Sequence, residues 1–196
     1  MTTKDKILQE AKIEFINKGY HDASLRTIAK KCGISAAALY RHFENKEDIF
    51  QKVIEPFVIK FNEIASFVQK TDYELLNNNQ VDEMWNFEME GGFHFDILFN
   101  DQIDIVKLIV KERKDWFKDF IITFEYEATI KYINAMKEHG YKVKVFNDLS
   151  FKALLDSYLE SYIYILNKNL NKEELFKICN DINVFYTLGF RDLFGF

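Results

Sequence analysis

Residues 24–46 read SLRTIAKKCGISAAALYRHFENK, and the rest of the chain is best approached from them. Leu25, Ile28 and Ala29 share one face of a helix. Ser24 stands before them as an N-cap, where its hydroxyl can accept an orphaned backbone N–H. The spacing predicts a helix over 25–31. Cys32-Gly33-Ile34 then breaks it, with Gly33 supplying a left-handed turn. Ser35 caps a second predicted helix over 36–42, with Leu39 and Phe43 four residues apart. Two short helices joined by a tight glycine-containing turn make a helix-turn-helix, a motif that fits the DNA major groove.

Upstream, Ile7, Leu8, Ala11, Phe15 and Ile16 recur at helical spacing and predict a helix over 3–18, ended by Gly19. The predicted head, residues 1–46, is therefore three helices. It carries nine basic and five acidic residues, so the remainder must hold −9 of the net −5. A basic head on an acidic body suits contact with a polyanion. Ser24, Arg26, Ser35, Tyr40, Arg41, His42 and Lys46 place hydrogen-bond donors at helix starts and on the outer face, as phosphate contacts require. Arg26 and Arg41 are suited to phosphate or to bidentate pairing with guanine.

The pieces Ile7-Leu8-x-x-Ala11, Phe15-x-x-x-Gly19-Tyr20, Ser24-Leu25-Arg26-x-Ile28-Ala29 and Gly33-Ile34-Ser35-x-x-x-Leu39-Tyr40-x-His42-Phe43-x-x-Lys46 resemble the DNA-binding head of TetR-type transcriptional regulators. The resemblance covers about a quarter of the chain. It implies that Tyr40 and His42 meet phosphates flanking the recognition helix, and that Lys46 meets one at the start of the next helix. Leu25, Ile28, Ala29, Ile34, Leu39 and Phe43 are expected to fill the head's core. The chain departs from the pattern at Ala37, where many members have glycine. With Ala36 and Ala38 it leaves few polar groups to read bases, although an alanine methyl can contact a thymine methyl.

Beyond the head, Asn45 reads as an N-cap with Asp48 three residues on, opening a helix over 46–70 that contains Pro56. Asn77-Asn78-Asn79 reads as a loop. Met84, Trp85, Phe87, Phe93, Phe95, Leu98 and Phe99 suggest helix broken near Gly91-Gly92. Further helices are predicted over 102–110, 115–138 (ending at Gly140), 149–167 and 171–194. The fold expected is all-α: a helix-turn-helix head at 1–46, then a helical effector-binding and dimerisation domain at 47–196.

The resemblance implies a small-molecule pocket in the body. Trp85, Phe87, Phe93, Phe95, Trp116, Phe120, Phe124 and Tyr126 are its candidate lining, for a largely apolar or aromatic effector. Glu88, Glu90, Glu125 and Glu127 are candidates to meet a cationic ligand, with a solvated face as the alternative for each. The last two helices are apolar over more than one narrow stripe and need partners on two sides. The resemblance implies that they pair with a second subunit through Leu155, Tyr158, Leu159, Tyr162, Ile178, Ile182, Phe185 and Gly189. A C2 dimer suits a palindromic operator.

Composition excludes other classes. Hydrophobic residues make up 48% of the 196, with 1 Pro, 7 Gly and 2 Cys, which excludes disorder, a turn-rich β protein and a disulfide scaffold. No apolar run reaches the length of a membrane span, and the charged N-terminus does not read as a signal peptide. A cytoplasmic location is expected. Walker and G-x-S-x-G motifs are absent, and the four histidines lack metal-ligand spacing, so neither catalysis nor a cofactor is expected. The reading is a homodimeric repressor released from its operator by a small molecule. An activator, a corepressor-dependent regulator, and a helical ligand-binding or interaction module without DNA binding are the alternatives.

Overall fold

The structure is a computed structural model. It describes residues 1–89, 92–168 and 170–196, with side chains described outside 87–101 and 169. Among the described residues there are nine helices and no strand: α1 Thr3–Asp22, α2 Leu25–Cys32, α3 Ala36–Leu39, α4 Lys46–Asn77, α5 Val81–Met89, α6 Gly92–Glu112, α7 Lys114–Glu138, α8 Asp148–Leu166 and α9 Lys172–Phe194. The all-α expectation holds. By contacts the chain forms two units, Met1–Asn62 with Gln102–Lys114, and Glu63–Asp101 with Asp115–Phe196. A division after residue 46 differs from this one by the turns of α4 and α6 that pack with the head.

In the first unit the apolar stripes predicted from sequence form one core. Ile7, Ala11 and Phe15 of α1, Ile28 and Ala29 of α2, and Leu39 and Phe43 are buried with Ile49, Phe50, Val53 and Ile54 of α4 and Ile105 and Ile109 of α6. Leu25 and Ile34, also expected there, are half-buried. Gly19 does take a positive φ of 81°, but it kinks α1 instead of ending it. The helix continues to Asp22, and the Ala23 N–H returns to the Gly19 carbonyl at 3.2 Å. Thr2 caps α1 in a reciprocal pair with Asp5, an N-terminal lock of the Ser/Thr type.

The recognition segment is shorter than predicted. α3 ends at Leu39, because Arg41 and His42 bond back only three residues, to Ala38 and Leu39, at 3.3 and 2.9 Å. That tightening takes Arg41 and His42 off the α-helical path, just after Tyr40, whose N–H still bonds back to Ala36. Asn45 does cap α4, accepting from the Asp48 N–H at 2.9 Å. The return bond of Asp48 goes to the Glu44 N–H, not to that of Asn45.

In the second unit Leu76, Val81, Met84, Trp85, Ile133, Met136, Phe151, Leu155 and Phe194 form the core. α5 and α8 both pack on α9. α4 runs to Asn77, past its predicted end near residue 70, because Leu75 and the fully buried Leu76 extend its apolar stripe through a polar stretch. α6 starts at Gly92 and not at Gln102. Asn100 and Asp101, which precede the predicted start at Gln102, cost a helix only about 0.7 kcal/mol each. The last two helices match their predicted spans within a residue or two, with Asn147 and Asn171 as side-chain caps.

Candidate nucleic-acid interface

The helix-turn-helix is locked from within by a carboxylate that sequence reading passed over. Glu14 of α1 is 2% exposed. It accepts from the Ser24 N–H at 3.4 Å and pairs with Lys18 at 2.7 Å and Lys31 at 3.4 Å. These contacts join the start of α2 and its last turn to α1. The hydrogen bond from Lys18 holds the Glu14 carboxyl below its ordinary pKa against the opposing effect of burial, with Ser24 and Lys31 adding to it. A buried charge is tolerable only when it is so partnered. Its position was legible: Ile7, Ala11, Glu14 and Lys18 share one helical stripe.

On this frame the predicted DNA-contacting residues fall as follows. Arg26, Ser35, Ala37, Tyr40, Arg41 and His42 are exposed, whereas Ser24, Ala36 and Lys46 are half-buried. The Ser24 and Ser35 hydroxyls cap their helices, accepting from the Thr27 and Ala38 N–H groups at 3.4 and 3.1 Å. Gly33 is the left-handed C-cap of α2, with φ 72°. The tight turn thus follows the predicted chemistry. At α2 the Glu14 carboxylate already sits on the Ser24 N–H, so negative charge occupies the helix start that Ser24 was expected to offer to phosphate.

Lys46, at the start of α4, donates to the His21 carbonyl at 2.9 Å, and its ammonium lies 5.0 Å from the Tyr20 ring centre. Two of its three N–H protons remain for another acceptor. Lys4 of α1, exposed, lies 5.4 Å from the ring of Phe43, the residue after the recognition turn. This adds a cation beside Phe43 that sequence reading counted only in the charge sum. Lys6 reaches the Cys32 carbonyl at 3.2 Å and closes the end of α2.

The body residues singled out from sequence scatter more. Trp85 is buried, Phe120, Phe124 and Tyr126 are half-buried, and Trp116 is exposed and stacked on Phe120. Phe87, Phe93 and Phe95, like Glu88 and Glu90, lie outside the residues whose side chains are described. Leu155, Leu159 and Tyr162, expected at a subunit interface, are buried within this chain. Tyr158, Ile178 and Ile182 are half-buried, while Phe185 and Gly189 are exposed. Leu154 and Leu188, not singled out, share that exposure with Phe185. Tyr158 donates to Asn183 at 3.0 Å, and Tyr162 to Tyr158 at 3.2 Å, so α8 and α9 are joined by a part-buried polar relay as well as by apolar contact.

Two further acids in this unit behave unlike Glu14. Burial pushes Asp72 up to about 7, with the charge of Glu125 adding to it. Burial likewise pushes Glu125 up to about 7. Asp72 Oδ1 and the Trp85 indole Nε1 are buried without a hydrogen-bond partner. Among the described residues no group of His, Cys, Asp and Glu could hold a metal ion, and no helix is long and apolar enough to cross a membrane.

Comparison with known proteins agrees with this geometry. A family model described as "Bacterial regulatory proteins, tetR family" matches residues 7–53. The biofilm operon icaADBC HTH-type negative transcriptional regulator IcaR of Staphylococcus epidermidis is 34% identical over 110 residues, 55% of this chain and 52% of that protein. The HTH-type transcriptional regulator UidR of Escherichia coli is 36% identical over 75 residues, 36% of this chain and 38% of that protein. The chain thus spans about half the length, or less, of the curated relatives it matches. A solved structure of a TetR-family transcriptional regulator from Mesorhizobium loti aligns over 99% of this chain and 97% of its own, with a TM-score of 0.58 at 17% identity. That likeness bears on the fold.

Proposed function

We propose that this chain, which belongs to the TetR family through its residues 7–53, is a non-enzymatic, DNA-binding transcriptional repressor that works as a homodimer. The carrying observation is the helix-turn-helix itself. Gly33 turns it, Glu14 locks it, and Arg26, Tyr40, Arg41 and His42 stand exposed on it. Tyr40, His42 and Lys46 hold the DNA backbone. Ala37, with the two arginines, is left to read base edges or DNA shape. Negative regulation is supported by the likeness to IcaR, whose description says as much.

The body binds a small effector. This is supported by the two buried polar atoms without partners, Asp72 Oδ1 and Trp85 Nε1, both in the body. Buried polar groups are nearly always satisfied in folded proteins, and exceptions call for a role. An effector that prefers a head arrangement unfit for DNA weakens operator binding in proportion to its differential affinity.

The test is fluorescence anisotropy of labelled DNA from the protein's own upstream region, titrated at several salt concentrations. Saturable binding at two subunits per site, weakening steeply with salt, is expected. Binding no tighter than to random DNA would overturn the assignment.

A further inference from the structure

Residues 102–114 belong to the unit that holds the helix-turn-helix, though far from it in sequence. Within that unit the end of α6 and the residue after it approach the junction of α1 and α4 closely. A side chain at Gly19 would run into the Glu112 carboxylate. The next residue, Arg113, places Nη2 2.7 Å from Glu47 Oε2. Its guanidinium lies 4.5 Å from the ring centre of Tyr20 and 5.2 Å from that of Phe50.

Tyr20 is the shared member of two contacts. Its ring has the Arg113 guanidinium near it and the Lys46 ammonium 5.0 Å away. Its hydroxyl faces Glu47, the residue next to Lys46, whose charge adds to burial in raising the Tyr20 pKa. Burial works to raise the Glu47 pKa, but hydrogen bonds from Gln51, Tyr20 and Arg113 outweigh it and hold the carboxyl ionised. The first turn of α4 is thus gripped at Glu47 by Arg113 and at Lys46 by the Tyr20 ring. A planar guanidinium can pair with a carboxylate and stack on aromatic rings at once, which an ammonium cannot match.

We infer that Arg113 is a positioning residue for DNA binding: through Tyr20 and Glu47 it fixes the Lys46 ammonium at the start of α4, so that it meets a backbone phosphate already oriented. Arg113 acts on DNA only through Lys46. The inference rests on the proposed function, and its test separates the two.

The full-length chain is compared with Arg113→Ala, Arg113→Lys, Lys46→Ala and the double variant Arg113→Ala/Lys46→Ala. Without DNA, the Cε protons of Lys46 are read by NMR in lysine-labelled protein and assigned by their loss in Lys46→Ala. Their place near the Tyr20 ring gives them a ring-current displacement. Arg113→Ala should abolish it and Arg113→Lys should restore part of it. In the anisotropy assay Arg113→Ala should weaken binding about fivefold, one phosphate contact's share, and flatten the salt slope. In the Lys46→Ala background the same change should cost less than about twofold, the non-additivity of coupled residues.

An unmoved Lys46 resonance overturns the inference, as does an equal loss of affinity in both backgrounds. Should Arg113→Ala lose its cooperative unfolding transition, Glu47→Gln breaks the same grip and is read by the same two measurements. A wild-type chain that binds its upstream DNA no better than random DNA overturns the proposed function itself. The phosphate role of Lys46 then falls with it, whatever the resonance does.

Discussion

The pKa values of the head's buried carboxylate and the body's half-buried ones shift in opposite directions. In the head, Glu14 has Lys18, Lys31 and the Ser24 N–H around it, and its pKa is lowered. In the body, burial raises both Asp72 and Glu125 to about 7, and Asp72 Oδ1 has no partner. The apolar surfaces differ in the same sense. On α8 and α9, Phe185 is 71% exposed, with Leu154 and Leu188 also open, whereas the head's aromatics Phe15, Phe43 and Phe50 are buried. In the head the buried carboxylate is fully partnered. The body has polar atoms and apolar surface that a second molecule would complete. On the proposed function, the partnered head is the DNA-binding part and the body is where a ligand or second subunit is accommodated.

The sharpest way to break this contrast is at Phe185. If its exposure marks a face shared between two copies, Phe185→Lys inserts a charge twice in a C2 interface, once per subunit. The expected loss is about 4 kcal/mol of dimer stability, from two lost aromatic burials at about 2 kcal/mol each. Sedimentation equilibrium should show wild-type dimer and a largely monomeric variant at micromolar concentration. A wild type that is already monomeric there would remove the interface from the comparison.

The next effect is the body's response to pH. Asp72 and Glu125 hold protons in the folded state that the unfolded chain releases near its ordinary carboxylate values. Their contribution is therefore full at low pH, falls as pH rises from about 4 to about 7, and levels off above that. Asp72→Asn keeps the shape without the charge and should stabilise the body by about 3 kcal/mol at pH 8, a shift of a few degrees in Tm, with little change at pH 4. Thermal unfolding at the two pH values measures it. Equal effects at both would show that burial does not control this acid.

The head should respond with the reverse sign. The contribution of Glu14 is present above the ordinary carboxylate value and is lost as pH falls through its lowered one. Glu14→Ala leaves the Ser24 N–H without its partner and two lysines without their counter-charge. Those lysines are about half exposed and can rehydrate, so about 2 kcal/mol is expected, below the usual loss for a broken buried pair. Hydrogen exchange at the α2 amides should rise more than at those of α9. Uniform loosening would deny Glu14 its local role.

How far each region was legible follows from the same contrast. In the head, local chemistry and packing agree. Ser24 and Ser35 cap, Gly33 turns, and Ile28, Ala29 and Leu39 are buried, so each is readable from its neighbours alone. What sequence reading missed there depends on distant residues. The stripe with Lys18 marks Glu14 locally, but its pairing with Lys31, like that of Tyr20 with Arg113, has no local sign. In the body the helices at 148–166 and 172–194 were readable from their stripes and caps. Which apolar residues face inward was not, since Leu155 and Phe185 both lie on apolar faces and only packing separates them. Trp116 and Phe117 show the same limit: adjacent aromatics on α7, one exposed and the other buried. The extension of α4 to Asn77 was hidden because Asp72 is a polar residue on a buried stripe, the feature that later sets it apart.

The smallest effects are expected on the head's exposed face, and they test whether that face is complete without the body's help. Tyr40 is 53% exposed, so removing its side chain costs little folding energy. Tyr40→Ala and Lys46→Ala should each leave Tm nearly unchanged, weaken binding to all DNA by about 1 kcal/mol, and lower the salt slope by about one for Lys46 but not for the uncharged Tyr40. The difference in slope is the informative part, since both variants lose affinity but only one loses a cation that displaces counterions. Equal slopes would mean that Lys46 stays with the His21 carbonyl in the complex and that another cation, such as Arg41 in the turn or Lys4 beside Phe43, makes the contact. Unchanged affinity in both variants would move the DNA-binding face away from the recognition turn altogether.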